Sequence, residues 1–517
     1  MKFRISTDKT KLVLIDSTKQ EIHQLKIWLN KYVEGYRFKQ RFKLGVWDGK
    51  IDHFKDGRIN IGLWSEIFQC CKTHDFKFEI ENKDEFPIDK KITIEEISGF
   101  CYDFFKDHKT KDGLKQFMPY EHQIYAVYKM FRHKFGLIEV ATSGGKSLIL
   151  STFIFYMLKN MNPNAKFLLI VPSISLVTQF YNDLNEYNIG YNNENKNPLD
   201  LRINEVMSDL PRKFFGVGEP NIYIGTYQSF NNFDPLFFKQ FDVVFNDESH
   251  LAKNAVLQKI MNYASVSEYR LGVSGTFFNE NTAELQSLES AVGPILYKMG
   301  ADILMKKGII SPLKIKAIIL NHEDQEFSNS IFTLKKSGNG KRAYELEKEY
   351  CQSSLKRKMF LLKLVKKFDK NSLILFNNVK FGTELYNFFR DNIGDKEFYY
   401  IDGEISKEKR EAIKKNMEIT TGKVKICIAS YGTMSLGISI NALFNMVLAD
   451  SSKSFIRIIQ SIGRIIRLHP EKDKAIIFDI VDRFSTKTEN ILFSHFKKRK
   501  EYYDKVRYPY DELRITL

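Results

Sequence analysis

Five cysteines in 517 residues, none spaced as Cys-x-x-Cys, leave no framework for a zinc cage or a disulfide scaffold. They are Cys70, Cys71, Cys101, Cys351 and Cys427, and the ten histidines add no metal-ligand spacing. Scattered thiols suit a reducing compartment. No uncharged apolar run approaches the length a bilayer requires, so no membrane partner is expected. The opening residues, MKFRISTDKTK, alternate and then turn charged, unlike a secretory leader. A soluble, cytoplasmic protein is expected. Proline is scarce, at 12 residues, and no low-complexity tract or fixed-period repeat interrupts a chain that is 43% hydrophobic and 27% charged. Those absences exclude disordered and fibrous classes.

Acidic residues are the minority. Lys and Arg number 79 against 63 Asp and Glu, a formal net charge of +16. Such an excess favours a polyanionic partner, because each neutralised phosphate releases counterions. A Lys-rich genome would explain the same excess, so charge alone decides nothing.

Tryptophan is confined to the first hundred residues, as Trp28, Trp47 and Trp64. Short alternating runs there, with a helix predicted around Lys19 to Val33, read as an α+β module over residues 1–100. A Lys/Asp-rich stretch marks a linker over 101–118. From Tyr120 the texture changes. Short apolar runs such as KFLLIVPS, FDVVFNDE and YRLGVSGT alternate with helical segments, the pattern of a parallel sheet covered on both faces. A second series, NSLILFNN, FYYIDG, VKICIAS, NMVLAD and KAIIFDIVD, begins after Ser311-Pro312. The fold class expected is therefore α/β: two tandem parallel-sheet lobes, over 119–310 and 311–489, behind the small amino-terminal domain. A charged C-terminal helical tail would cover 490–517. TLKKSGNGKR, Thr333 to Arg342, reads as a polar basic loop.

Ala141-Thr142-Ser143-Gly144-Gly145-Lys146-Ser147 follows an apolar strand and precedes a helical run. That is the setting a phosphate-binding loop needs: amides and a helix N-terminus face the anion, Lys146 reaches the outer phosphates, and Ser147 holds Mg²⁺. The strict pattern asks for glycine where Val140 stands, so by itself the match is evenly balanced against a Gly-rich turn. Asp247-Glu248-Ser249-His250 ends the strand FDVVFN. Asp247 there would hold the metal and Glu248 would orient or deprotonate the attacking water; a surface acidic turn is the plainer alternative. Gln460-Ser461-Ile462-Gly463-Arg464-Ile465-Ile466-Arg467 spaces Arg464 and Arg467 for one helical face, with Gln460 a turn earlier. Two such arginines would stabilise charge developing at a γ-phosphate, or merely be solvated.

In the amino-terminal module, Tyr36-Arg37-Phe38-Lys39 and Arg41-Phe42-Lys43, with Trp47, interleave aromatics and cations. As a strand, alternation would send Arg37, Lys39, Arg41 and Lys43 to one face, a ribbon able to follow a phosphate backbone. The plainer reading is an amphipathic strand with core aromatics and solvated cations.

Taken in order, these residues resemble the motif series of helicase superfamily 2, in its DExH branch, whose two motor lobes are RecA-like. Gln123 in PYEHQIYAV matches the glutamine that reads adenine. Thr142 to Ser147 match the phosphate loop, and DESH, the SGT at Ser274 and the Gln460 to Arg467 run match their counterparts. The resemblance implies ATP and Mg²⁺ as cofactors, with Thr142, Ser143, Gly144, Gly145 and Gly437 among the nucleotide contacts. It also implies Gln179, Thr226, Gln228 and Thr433 as nucleic-acid contacts. ASYGTMSLGISI lacks the Arg and Asp that many members carry at Leu436 and Ser439. The run GYRFKQRFKLGVWDGKI is foreign to most members. A phage type of recombination helicase shares both features. That likeness implies a motor on branched, forked or single-stranded DNA that migrates junctions, regresses forks and removes RNA–DNA hybrids in R-loops during recombination, repair and replication. The protein would work in a host cell's cytoplasm, as a monomer because both halves of the site lie in one chain. An RNA helicase of the same branch stays open. So does the motor subunit of a nuclease or restriction system, although no nuclease-like cluster is visible outside the motor. A clamp without catalysis is disfavoured, since Lys146, Asp247, Glu248, Gln460, Arg464 and Arg467 occur together.

Overall fold

The computed structural model describes residues 1–110, 113, 116–191, 193, 195, 197–206, 219–251, 254–275, 277, 282–435, 440–450, 455–484 and 489–517. They form two compact units, residues 1–141 with 145–299 and residues 142–144 with 300–517.

The first unit contains two sheets. The smaller has four strands in the order Arg58–Asn60, Lys11–Asp16, Lys2–Ile5 and Glu79–Ile80, antiparallel except for the last pair. Strand alternation turns Phe3, Ile5 and Leu12 inward onto Leu25 and Leu29 of helix Lys19–Leu29 and Ile67 of helix Trp64–Thr73. Thr18 and Glu21 start the first of these helices with a reciprocal capping box. Phe135 of the larger sheet joins this same core, so the module expected over 1–100 does not stand apart from the lobe that follows it. The segment read as a linker, 101–118, starts inside helix Ile94–Phe105, whose Ile97, Phe100, Cys101, Phe104 and Phe105 form one buried face. Phe104 packs on Phe155 with centroids 5.1 Å apart, and Phe100 meets Tyr156 edge-on at 5.2 Å.

The larger sheet has seven parallel strands in the order Ile295–Met299, Phe135–Val140, Tyr269–Ser274, Val243–Asn246, Phe167–Val171, Ile222–Thr226 and Ile203–Val206. Its central strands are buried along their length because helices cover both faces. The carboxyl ends of these strands carry the loops that bind ligands in such sheets.

The second unit is built on another seven-stranded parallel sheet, ordered Lys396–Ile401, Val424–Ser430, Ser372–Phe376, Asn445–Leu448, Ala475–Arg483, Leu313–Asn321 and Tyr510–Thr516. Residues 490–517 are thus not purely a helical tail. Helix Ile491–Lys505 is followed by a strand that pairs with Leu313–Asn321 and completes the sheet. Buried Arg499 holds the helix down by a bidentate pair to buried Asp479, both contacts at 2.9 Å, and Tyr503 donates to the same carboxylate at 3.0 Å. The unit also begins earlier than residue 311, because helix Ala301–Lys306 belongs to it, with Asp302 3.6 Å from Arg507. The stretch read as a loop at 333–342 is mostly helical. Helices Gln325–Lys336 and Gly340–Ser353 flank a short turn, and Asp324 caps the first by accepting the Phe327 amide at 2.9 Å. Among the described residues no helix is long and apolar enough to cross a membrane.

Candidate nucleotide site and nucleic-acid surface

Strand Phe135–Val140 ends in loop 141–145, and Gly145, with φ +83°, opens helix Lys146–Tyr156. A Cβ at Gly145 would lie 2.1 Å from Nε2 of Gln123, so only glycine lets that glutamine close on the loop. Gln123 is itself buried, and its Oε1 accepts the Tyr120 amide at 2.8 Å. Ser143 also has positive φ, at +67°. Non-glycine residues held in that region cost energy and mark backbone shaped for function.

Strand Val243–Asn246 delivers the acidic pair. The Asp247 amide donates to the Ile170 carbonyl at 2.9 Å, and the strained Glu248 has φ +46°. Glu248 Oε1 lies 3.8 Å from Lys146 Nζ, so the phosphate-loop cation and the proposed base face each other. The other carboxylate oxygen, Oε2, lies 3.4 Å from Nδ1 of His250, and that nitrogen is 2.6 Å from the Ser274 hydroxyl. Burial depresses the His250 pKa, with Glu248 opposing and Lys146 reinforcing the shift, so the imidazole is neutral at pH 7. Burial first, and Glu248 second, push the Asp247 carboxyl up to about 7, while Lys146 pulls it down. Oδ1 of Asp247 is buried without a hydrogen-bond partner among the described residues. An orphaned carboxylate oxygen is what an oxygen-seeking divalent cation would satisfy, so this residue fits Mg²⁺.

Two tyrosines had no role in the sequence reading. Tyr227 donates to Asn246 Oδ1 at 2.5 Å and to the Asp247 carbonyl at 3.3 Å, bracing the acidic turn. Tyr187 places its hydroxyl 3.4 Å from Ser147 Oγ and stacks on Phe117 with centroids 5.7 Å apart. Tyr227 stands between Thr226 and Gln228, two of the expected nucleic-acid contacts, which was a usable signal; nothing around Tyr187 offered one.

In the second unit Gln460 and Arg464 lie on helix Phe455–Ile465. Arg467 does not share that helix, as its spacing had suggested, because the chain leaves it after Ile465. The Ser311 amide binds the Ile466 carbonyl at 2.7 Å, and the buried Lys472 ammonium donates to the Ile465 and Arg467 carbonyls at 3.1 and 2.9 Å. These partners satisfy the terminal carbonyls that another helical turn would have used. Gly437 and Thr276 lie outside the described residues.

Of the expected nucleic-acid contacts, Gln179 and Gln228 are exposed, and so are Arg37, Lys39, Arg41 and Lys43. Thr226 and Thr433 are buried. The Thr226 hydroxyl accepts the Ser229 amide at 3.2 Å, and Thr433 is hydrogen-bonded to Ser430, so both side chains are spent on turns. The basic aromatic run is not a strand either. It folds as a tight turn, Tyr36–Phe38, and a short helix, Gln40–Lys43. Tyr36 stacks on Tyr32 at 4.5 Å and meets Phe42 edge-on at 4.8 Å, and a Cβ on Gly49 would strike the Tyr36 ring at 2.4 Å. Around this small aromatic core the cations splay outward, together with Phe38, which is 84% exposed.

Three family models match successive parts of the chain. They are "DNA helicase UvsW, N-terminal" over residues 4–81, "Type III restriction enzyme, res subunit" over 116–279, and "Helicase conserved C-terminal domain" over 356–469. The chain is similar to the ATP-dependent DNA helicase uvsW of Enterobacteria phage T4, with 29% identity over 483 residues, covering 92% of this chain and 90% of that one. It is also similar to the DNA 3'-5' translocase XPB2 of Sulfurisphaera tokodaii, with 25% identity over 270 residues, 51% of this chain and 52% of the relative. Among solved structures, that of T4 UvsW matches over 100% of both chains with a TM-score of 0.50 and 24% identity. The Type ISP restriction-modification enzyme LlaBIII bound to DNA matches 77% of this chain and 31% of its own, with a TM-score of 0.55 and 14% identity. These structural likenesses establish the fold.

Proposed function

We infer that this chain, which belongs to the superfamily 2 helicases and carries a UvsW-type amino-terminal domain, is an ATP-hydrolysing helicase that works on branched DNA. The observation that carries the chemistry is the facing pair Lys146 and Glu248, 3.8 Å apart, with Glu248 held in turn by His250. A cation for the outer phosphates and a base for water belong together at one cleft in a phosphate-hydrolysing site.

In this reading the amides of loop 141–145 and the N-terminus of helix Lys146–Tyr156 cradle the phosphates. Gln123 reads the base, and Lys146 neutralises the outer phosphates. Asp247 and Ser147 would hold Mg²⁺, which when bound neutralises charge across the transferring phosphoryl group. Glu248 takes the proton of the attacking water. Arg464 and Arg467 supply positive charge to the γ-phosphate in the working state, and coupling hydrolysis to their arrival turns chemistry into motion. Gln179 and Gln228 grip backbone phosphate without reading sequence, as a translocating motor requires. Arg37, Lys39, Arg41 and Lys43 provide a second, sequence-blind hold on DNA, and the exposed Phe38 among them offers a stacking surface for an unpaired base.

Junction migration, fork regression and R-loop unwinding in recombination, repair and replication complete the proposal, supported by the relative's name and by the match of the amino-terminal domain. So does action as a monomer in a host cell's cytoplasm. The test is displacement of a labelled strand from a forked duplex. The reading expects ATP-dependent displacement by the wild type and none by Lys146→Ala; displacement without ATP, or no displacement at all, would contradict it.

A further inference from the structure

Arg270, on strand Tyr269–Ser274, is only 7% exposed. Its guanidinium carbon lies 3.9 Å from the centroid of the Phe135 ring, and its Nε has no hydrogen-bond partner among the described residues. Nor does any described carboxylate come within ion-pair distance of it. Burial draws its pKa down to about 10, which leaves it cationic at neutral pH. Asp8 is the one carboxylate that acts on it, from beyond ion-pair distance, and it only partly opposes that shift; a buried charge so thinly compensated is rarely retained. The guanidinium borders a cavity of about 350 Å³ where the amino-terminal sheet meets the first lobe. Lys11 of strand Lys11–Asp16 reaches the same cavity, its ammonium bonded to Asn60 Oδ1. Burial lowers the Lys11 pKa; Asp8 opposes, while Arg270 and Arg58 add their repulsion. The two cations lining the cavity repel each other.

Asp8 also lines the cavity and attracts both cations, while its Oδ1 accepts Ser6 Oγ at 2.6 Å and the Thr10 amide at 3.1 Å. One carboxylate cannot balance two cations. The Ser290 hydroxyl accepts from Asn60 Nδ2 at 2.6 Å, which leaves its own proton free to donate into the cavity. We propose that this cavity is an anion site for a phosphate group, held by Arg270, Lys11 and Ser290, and that the bound phosphate joins the amino-terminal domain to the first lobe. A guanidinium and an ammonium brought to one cavity by different sheets suit a tetrahedral oxyanion better than a planar carboxylate, because a tetrahedral ion accepts donors from several directions. Two sources carry that chemistry: free inorganic phosphate and a phosphodiester of bound nucleic acid. The site lies apart from loop 141–145 and does not rest on the helicase reading.

The test uses the full-length chain with a non-hydrolysable ATP analogue and Mg²⁺ saturating, so that phosphate is not read at the nucleotide loop. Melting temperature is recorded in phosphate and in chloride of equal ionic strength for the wild type, Arg270→Met and Lys11→Met. Duplex-oligonucleotide affinity is measured against salt for the same proteins. If the source is free phosphate, the wild type gains melting temperature saturably, both variants lose most of that gain, and the salt slopes agree. If the source is a backbone phosphate, phosphate shifts nothing, but the variants lose about one phosphate contact's worth of salt slope. In either case Arg270→Met in chloride melts no lower than the wild type, because a thinly compensated charge has gone. A phosphate gain shared by all three proteins, or no gain together with unchanged slopes, overturns the site. Lys11 is only partly buried, so its variant gives an independent reading of the same two arms.

Discussion

Nδ1 of His250 lies 2.6 Å from the hydroxyl of Ser274, so the acidic turn after one strand is tied to the end of its neighbour in the sheet. The same nitrogen is 3.4 Å from Glu248, and burial keeps the ring neutral. His250 therefore acts as a positioning residue for the proposed base. Replacing it with alanine leaves Glu248 able to swing. Steady-state kinetics of His250→Ala should show kcat lowered by about 10- to 100-fold, the scale of a misplaced group, with KM for ATP little changed. An unchanged kcat would mean that Glu248 is held by something else.

Lys146→Ala should lose ATP turnover by about 100- to 1,000-fold, the usual result of removing one charge-stabilising donor. DNA binding should persist, since no DNA contact is assigned to that side chain. Glu248→Gln should bind nucleotide normally and lose turnover by about 100- to 10,000-fold, as befits a lost general base. A fluorescent-nucleotide titration beside a phosphate-release assay separates the two variants. Turnover that survives Lys146→Ala would remove the phosphate loop from the mechanism.

Glu289, buried on helix Ala283–Val292, gives a pH prediction outside the chemistry. Burial first, and Glu66 second, raise its pKa to about 8 from an ordinary 4.5, with Lys31 and Lys298 opposing. The folded state thus holds a proton that the unfolded state releases. Its contribution is full below about pH 4.5 and is lost as pH rises through 8. At about 1.4 kcal/mol per pKa unit, the loss is on the order of a few kcal/mol. Glu289→Gln cannot ionise, so melting temperature followed from pH 5 to 9 should fall less steeply than in the wild type. Parallel curves would show that Glu289 is ionised in the fold.

Arg37, Lys39, Arg41 and Lys43 are exposed around a packed aromatic core, so neutral substitutions should leave melting temperature nearly unchanged. Replacing all four with glutamine should weaken forked-DNA binding and reduce its salt slope by about one for each lost phosphate contact. Equal affinity and slope would assign these cations to solvent. Phe38→Ala, at an equally exposed position, should weaken single-stranded binding by about 1–3 kcal/mol, the worth of a stacked base.

What was legible in the sequence was what a local pattern can carry. Short, largely apolar runs such as Phe167–Val171 and Ser372–Phe376, bounded by turn residues, are buried strands between two helical layers. Asp247 and Glu248 followed from the strand before them. The failures have physical reasons too. Tyr510–Thr516 is an edge strand with mostly exposed side chains, so no apolar run announces it. Tyr36 to Lys43 alternates like a strand, but the ring of Tyr36 packs on Tyr32, Phe42 and Gly49 and bends the chain into a turn. Arg467 has helical spacing, yet Lys472 and Ser311 claim the carbonyls at its helix end. The pairing of Tyr510–Thr516 with Leu313–Asn321 and the Ser311 contact to Arg467 join residues far apart in sequence, and no short window contains them.

The most direct measurement is steady-state ATP hydrolysis by the purified chain with no nucleic acid, with single-stranded DNA, with forked DNA and with RNA. The expected order is strong stimulation by forked DNA, less by single-stranded DNA and little by RNA. Stimulation by RNA alone would contradict the DNA assignment, and no hydrolysis under any condition would contradict the motor itself.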